Sequence, residues 1–115
     1  MPYTIHEEKI YPRTKDALTK AIFGAIEGLE GKVVKHQAEL GLISATFSKT
    51  ILGNFLGDRT QLDIELTGAG PDEVKCSLTI FPINPVGQKL EFGARKGVSR
   101  KVLTWFIAHV DHRLK

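Results

Sequence analysis

His109 and His112 stand three residues apart near the end of the chain, so on a helix they occupy neighbouring surface positions. That spacing suits two ligands of a metal ion. A zinc site needs three or four ligands, and no further ligand pattern lies nearby in sequence. Asp63 and Glu65 alternate with Leu62, Ile64 and Leu66, which puts both carboxylates on one side of a strand. Paired carboxylates can do acid–base work. On the outer face of a strand they read as solubility charges. His6 and His36 fall in strand-like segments with nothing specific around them. Cys76 is in phase with Val74, Leu78 and Ile80, so it reads as a small core hydrophobe and not as a nucleophile. There is no Ser–His–Asp arrangement with a supporting motif and no nucleophile elbow. The sequence therefore names no catalytic residue, no metal site and no cofactor. An enzyme remains open only if side chains converge in space, with His36, His109 or His112 beside Asp63 or Glu65.

Two segments carry binding chemistry. The run from Gly93 to Lys101 places Arg95, Lys96, Arg100 and Lys101 around an expected helix start. A helix N-terminus has free N–H groups and partial positive charge, so added cations make an anion-binding candidate. The Walker spacing and its GK[ST] ending are absent, and so is a dinucleotide fingerprint. The second segment, residues 49–59, carries Ile51, Leu52, Phe55 and Leu56 between two strands, where connections are ordinarily polar. These side chains either pack beneath the sheet or form, with Trp105, a surface for an apolar ligand or a partner.

Composition sets the frame for these segments. The chain has 115 residues, 42% hydrophobic and 25% charged, which fits one globular domain over residues 1–115. A single cysteine excludes an intrachain disulfide, so no oxidising compartment is needed. The polar N-terminus lacks a signal-peptide core, and no apolar run reaches the length of a membrane span, so a cytoplasmic address is expected. The net charge is +3, but it is unevenly spread. Residues 1–88 hold 9 Lys/Arg against 11 Asp/Glu, and residues 89–115 hold 7 against 2. The C-terminal end is thus basic, which favours phosphate or anionic lipid if the charges share a face.

The elements that must position these residues follow from periodicity. Residues 3–11 alternate weakly as a first strand. Pro12 ends it, and Thr14 caps a helix whose face holds Leu18, Ile22, Ala25, Ile26 and Leu29, with Gly31 as its stop. Gly24 and Gly28 each weaken that helix by about 1 kcal/mol relative to Ala. Val33 to Ala38 and residues 42–48 form a hairpin about Glu39, Leu40 and Gly41. Residues 60–67 and 74–81 form a second hairpin about the turn segment Gly68 to Glu73. Pro82 and Pro85 end the sheet, and Leu90 and Phe92 form a short pairing segment or pack as a loop. A last helix starts at about Arg95 or Val98 and runs to His112, with Val98, Val102, Leu103, Phe106, Ile107 and Val110 on its apolar face.

The fold class is therefore α+β: strand, helix, four antiparallel strands, helix. Both helices pack on one face of a curved antiparallel sheet, because each has one apolar stripe and the sheet has one apolar face. The hairpins VVKHQAELGLISATF and DIELTGAGPDEVKCSLTIFP make this order resemble the helix-grip or TATA-box-binding-protein-like α+β domains. It is similar to small domains of lipoproteins that assist outer-membrane barrel assembly. The resemblance is one of architecture and carries no functional residue across. In large helix-grip proteins a cavity forms between helix and sheet; at this length any such cavity is small.

Function follows as a non-enzymatic binding domain for a small apolar ligand or a protein partner near residues 49–59. The alternatives are a peripheral binder of anionic surfaces, lipid head groups before nucleic acid, and an enzyme whose site is invisible in sequence. A second copy of the chain is a further partner these features admit.

Overall fold

The computed structural model describes residues 3–90, 93–95 and 97–115. Its elements are β1 (Ile5–Tyr11), α1 (Lys15–Gly28), β2 (Lys32–Gln37), β3 (Leu42–Phe47), β4 (Thr50–Ile51), β5 (Asn54–Phe55), β6 (Arg59–Gly70), β7 (Glu73–Ile83) and α2 (Val98–Arg113). The five long strands form one antiparallel sheet in the order β1-β7-β6-β3-β2. The expected α+β architecture is present, with both helices on the apolar face.

Strict alternation drives this arrangement. On β6 and β7, Leu62, Ile64, Leu66, Val74, Cys76, Leu78 and Ile80 are buried under the helices. The α1 stripe of Leu18, Ile22, Ala25, Ile26 and Leu29 and the α2 stripe of Val102, Leu103, Phe106 and Val110 close over them. Burying each large apolar side chain contributes roughly 1.5–3 kcal/mol. The opposite face is polar. One cross-strand row, His6, Thr79, Asp63, Ser44 and Lys35, spans all five strands in register.

Local chemistry sets the ends of α1. Thr14 Oγ1 accepts a hydrogen bond from the Ala17 N–H at 3.2 Å, and Asp16 lies in the first turn. At the other end the Gly31 N–H donates to the Ile26 carbonyl and the Glu30 N–H to the Glu27 carbonyl, a Schellman closure. The helix stops where expected, but the left-handed residue is Glu30 (φ 63°), not Gly31. Glycine is required one position later for a different reason. A Cβ on Gly31 would lie 2.5 Å from Cε1 of the buried Phe47.

Gly24 and Gly28 also have a packing role. Cβ atoms there would lie 2.9 Å from Cδ of Arg113 and 3.1 Å from Nδ1 of His109. The two glycines open a slot in α1 where α2 crosses it. Arg13, before α1, donates to the carbonyl of Leu114, after α2, at 2.6 Å, so the helices run antiparallel. Two exposed ion pairs join α2 to the edge strand β1: Arg100 to Glu7 at 2.8 Å and Lys9 to Asp111 at 3.3 Å.

Beyond β7, the chain folds back on itself. The Leu90 N–H donates to the Pro82 carbonyl at 2.9 Å, and Ile83 bridges Lys89. Of the two readings of Leu90, a pairing segment or a packed loop, the structure shows a single bridge at Lys89 with the Leu90 N–H bonded back to Pro82; Phe92 lies outside the described residues.

Candidate binding site

The connection between β3 and β6 is a two-stranded hairpin of its own. Thr50 pairs with Phe55 and Ile51 with Asn54, across a corner of Leu52 (φ 50°) and Gly53 (φ 82°). Positive φ at both corner residues matches a type I′ turn, which ordinarily takes Asn-Gly or Asp-Gly. Three hydrogen bonds hold the hairpin in place. The Leu56 and Gly57 N–H groups donate to the Lys49 carbonyl at 2.7 and 3.2 Å, and the Leu52 N–H donates to Glu30 Oε1 at 2.7 Å. This pairing divides the four apolar residues. Ile51 and Leu56 enter the core at 0% and 8% exposure, whereas Leu52 and Phe55 stay outside at 54% and 66%.

The segment before α2 comes down onto this hairpin. The Arg95 N–H donates to Asp58 Oδ2, and the Arg95 guanidinium lies 5.8 Å from the Phe55 ring centroid. A cation over an aromatic face is attracted by the ring quadrupole. The Arg95 side chain passes over Gly57 (φ 97°), where a Cβ would collide with its Nε and Cδ. Gly97 (φ 85°) then starts α2 with no side-chain cap, and the Lys101 N–H bonds back to the Gly97 carbonyl. A depression of about 350 Å³ results, lined by Phe55, Leu56, Arg95, Gly97, Val98 and Lys101.

Its chemistry is two-sided. Phe55 and Leu56 supply apolar surface. Arg95, Lys101 and the first turn of α2 supply positive charge and N–H donors. Among the described residues, no carboxylate side chain forms an ion pair with Arg95 or Lys101.

The residues singled out in sequence thus separate into two groups. Phe55, Leu56, Arg95 and Lys101 meet in the depression. Ile51 is core, Leu52 stands at the hairpin corner, and Trp105 is half-buried further along α2. Arg100 turns to Glu7 on β1, and Lys96 lies outside the described residues. Gly57 and Gly97 escaped the sequence reading of the site; the one signal was glycine flanking each basic or apolar run.

The titratable groups are dispersed. His6 bonds Thr79 Oγ1 at 2.8 Å on the outer sheet face, sharing a shallow groove of about 270 Å³ with Asp63 and Glu65. The Asp63 carboxylate accepts from Ser44 and Gln61 at 2.8 and 2.9 Å. His36 sits on the helix side of β2, its ring 4.9 Å from Phe23, and His109 faces Gly28. Asp63 and Glu65 therefore face away from His36 and His109. No group of three His, Cys, Asp or Glu side chains able to hold a metal occurs among the described residues. Burial pushes the Cys76 thiol up to about 12, which leaves it protonated and unreactive at neutral pH. Burial, with the nearby Asp111 charge, likewise raises Tyr11. Among the described residues no helix is long and apolar enough to cross a membrane.

At the level of architecture this is a helix-grip arrangement, two helices held against the concave apolar side of an antiparallel sheet. Solved structures that share it include two that match over nearly the whole chain. Ara h 8.0201 superposes with a TM-score of 0.54 at 15% identity, over 97% of both chains. Protein CV1439 from Chromobacterium violaceum does so with a TM-score of 0.54 at 13% identity, over 97% of this chain and 96% of its own. At these identities the likeness is one of fold alone. No protein-family model matches the sequence, and no curated protein matches it.

Proposed function

We propose that the chain is a non-enzymatic binding domain whose ligand is a small amphipathic anion held in the depression at the start of α2. One observation carries this reading: Arg95 stands over Phe55 beside the uncapped first turn of α2. The apolar part of such a ligand rests on Phe55 and Leu56. Its carboxylate or phosphate meets Arg95, Lys101 and the helix N–H groups. The middle of the space between helices and sheet is taken up by fully buried side chains, including Phe47, Phe106, Ile22 and Leu62. A second opening of about 310 Å³ between α1 and the sheet, lined by Lys15, Thr19, His36 and Ile43, lacks a pair of free cations beside an exposed aromatic ring. A ligand is therefore better accommodated at the rim, where about 350 Å³ is open and both chemistries meet.

Titration calorimetry with decanoate and with decanol tests the reading. Decanoate binds, and decanol binds at least tenfold more weakly because it lacks the charge. In an Arg95→Gln/Lys101→Gln variant the two become equal. Equal affinities in the unmodified protein, or a double variant that binds decanoate as tightly as before, would reject the proposal.

A further inference from the structure

We propose that the end of the molecule bearing the β4–β5 hairpin docks on an anionic lipid bilayer, inserting Leu52, Phe55 and Val86 among the head groups. The inference rests on the proposed ligand site only through the residues they share, Phe55, Arg95 and Lys101.

Two turns leave the same end of the sheet, since Arg59 pairs with Ile83 and Thr60 with both Pro82 and Phe47. Each turn ends in an exposed apolar side chain: Leu52 at 54%, with Phe55 at 66% beside it, and Val86 at 79%. Both tips are held in fixed shapes. Asn84 Oδ1 accepts from the N–H groups of Val86 and Gln88 at 3.0 and 2.9 Å, and the Asn84 N–H donates to the Gln88 carbonyl. The Leu52 corner is tied to Glu30. Leucine at this corner is doubly unfavourable, being apolar in water and left-handed at φ 50°. Asparagine would satisfy the turn at less cost. An exposed, strained leucine is accounted for if the corner meets an apolar phase.

Charge complementarity selects the occupant. Lys49 stands at the base of the β4–β5 hairpin and Lys89 at the base of the Val86 turn, opposite Ile83, while Arg95 and Lys101 line the depression beside Phe55. The carboxylates of Glu30 and Asp58 at this end accept hydrogen bonds from backbone N–H groups of Leu52 and Arg95. The apolar tips stand on separate turns, with Arg95 and Lys101 beside Phe55. A fluid bilayer accepts that geometry, whereas a rigid partner needs one continuous patch. The cations then meet lipid phosphates, each strengthening attachment about fivefold near an anionic surface.

Co-sedimentation with vesicles tests this. The protein pellets with phosphatidylcholine vesicles containing phosphatidylglycerol, not with phosphatidylcholine alone, and raising the salt releases it. Leu52→Asn/Val86→Ser removes two tips while suiting both turns. It lowers vesicle binding roughly tenfold and leaves the calorimetric affinity for decanoate unchanged. Neither residue lines the depression, so the two measurements separate the two ideas. Vesicle binding without decanoate binding overturns the ligand site and supports docking. Decanoate binding without vesicle binding, or undiminished vesicle binding by the double variant, overturns docking. Capture by soluble polyglutamate in place of vesicles also overturns it, because the partner would then be an acidic protein.

Discussion

Replacing Gly31 by alanine destabilises the protein, whereas the same change at Gly24 does not. At Gly31 the added Cβ would lie 2.5 and 2.7 Å from Cε1 and Cδ1 of Phe47 and 3.0 Å from Cγ2 of Ile26. Ordinary carbon contacts are about 3.5–4.0 Å, so the ring must shift by about 1 Å. Phe47 is 1% exposed and Ile26 2%, so both sides of the clash are walled in. Overpacking of this kind costs about 1–3 kcal/mol. Stiffening the unfolded chain offsets about 0.4–1 kcal/mol of that. Taking the middle of each range, the net loss is about 1.3 kcal/mol, a fall of roughly 5 °C in Tm for a chain of this size. At Gly24 the nearest atoms belong to the distal part of Arg113, an exposed side chain that can swing clear. The helix-propensity gain of up to about 1 kcal/mol then survives. Gly28→Ala falls between, with His109 Nδ1 at 3.1 Å. Urea and thermal unfolding of the three variants give the order Gly24→Ala above Gly28→Ala above Gly31→Ala. A Gly31→Ala protein as stable as the parent would refute the packing of α1 against β3.

Other consequences are open to measurement. Leu52→Asn relieves the left-handed leucine and raises unfolding stability by about 1 kcal/mol, read in urea; a loss of stability would show the corner is not strained. Cys76 does not react with a thiol reagent in the folded protein near pH 8 but does in urea. Its thiol is raised to about 12, so its share of stability is complete below the unfolded thiol's range and is lost as pH climbs towards that value. Cys76→Ala therefore flattens the alkaline fall in stability without abolishing it, because Tyr11 is raised too; an unchanged slope contradicts the assignment. Glu7→Gln breaks the exposed pair with Arg100 and costs less than about 1 kcal/mol at low salt, and nothing measurable at high salt; a larger, salt-independent loss would show the pair is buried in effect.

Local physics made much of this fold legible. Alternation on β6 and β7, the Thr14 cap and the two apolar helix stripes are properties of neighbouring residues, and each lies where its periodicity put it. What escaped depends on contacts distant in sequence. The pairing of β1 with β7 joins Ile5 to Ile80, and nothing near either residue specifies it. Gly24 and Gly28 read as costs to α1 because their compensation sits on α2. The hairpin inside residues 49–59 escaped because its corner uses leucine where turn chemistry expects a polar residue. That corner decides which side chains are core, and so sends Ile51 inward and Phe55 outward. The site was half visible. Its basic and apolar runs stood out by composition, but their meeting across Arg95 and Phe55 is tertiary. Helical rotation separates Lys101, which lines the depression, from Arg100, which reaches β1.

Amide chemical-shift mapping during a decanoate titration locates the ligand directly. The N–H signals of Val98, Ser99 and Arg100 move most, together with those of Phe55 to Gly57. Shifts confined instead to Lys15, Thr19, His36 and Ile43, around the other helix–sheet opening, or to the outer row of His6, Asp63 and Ser44, would contradict this placement.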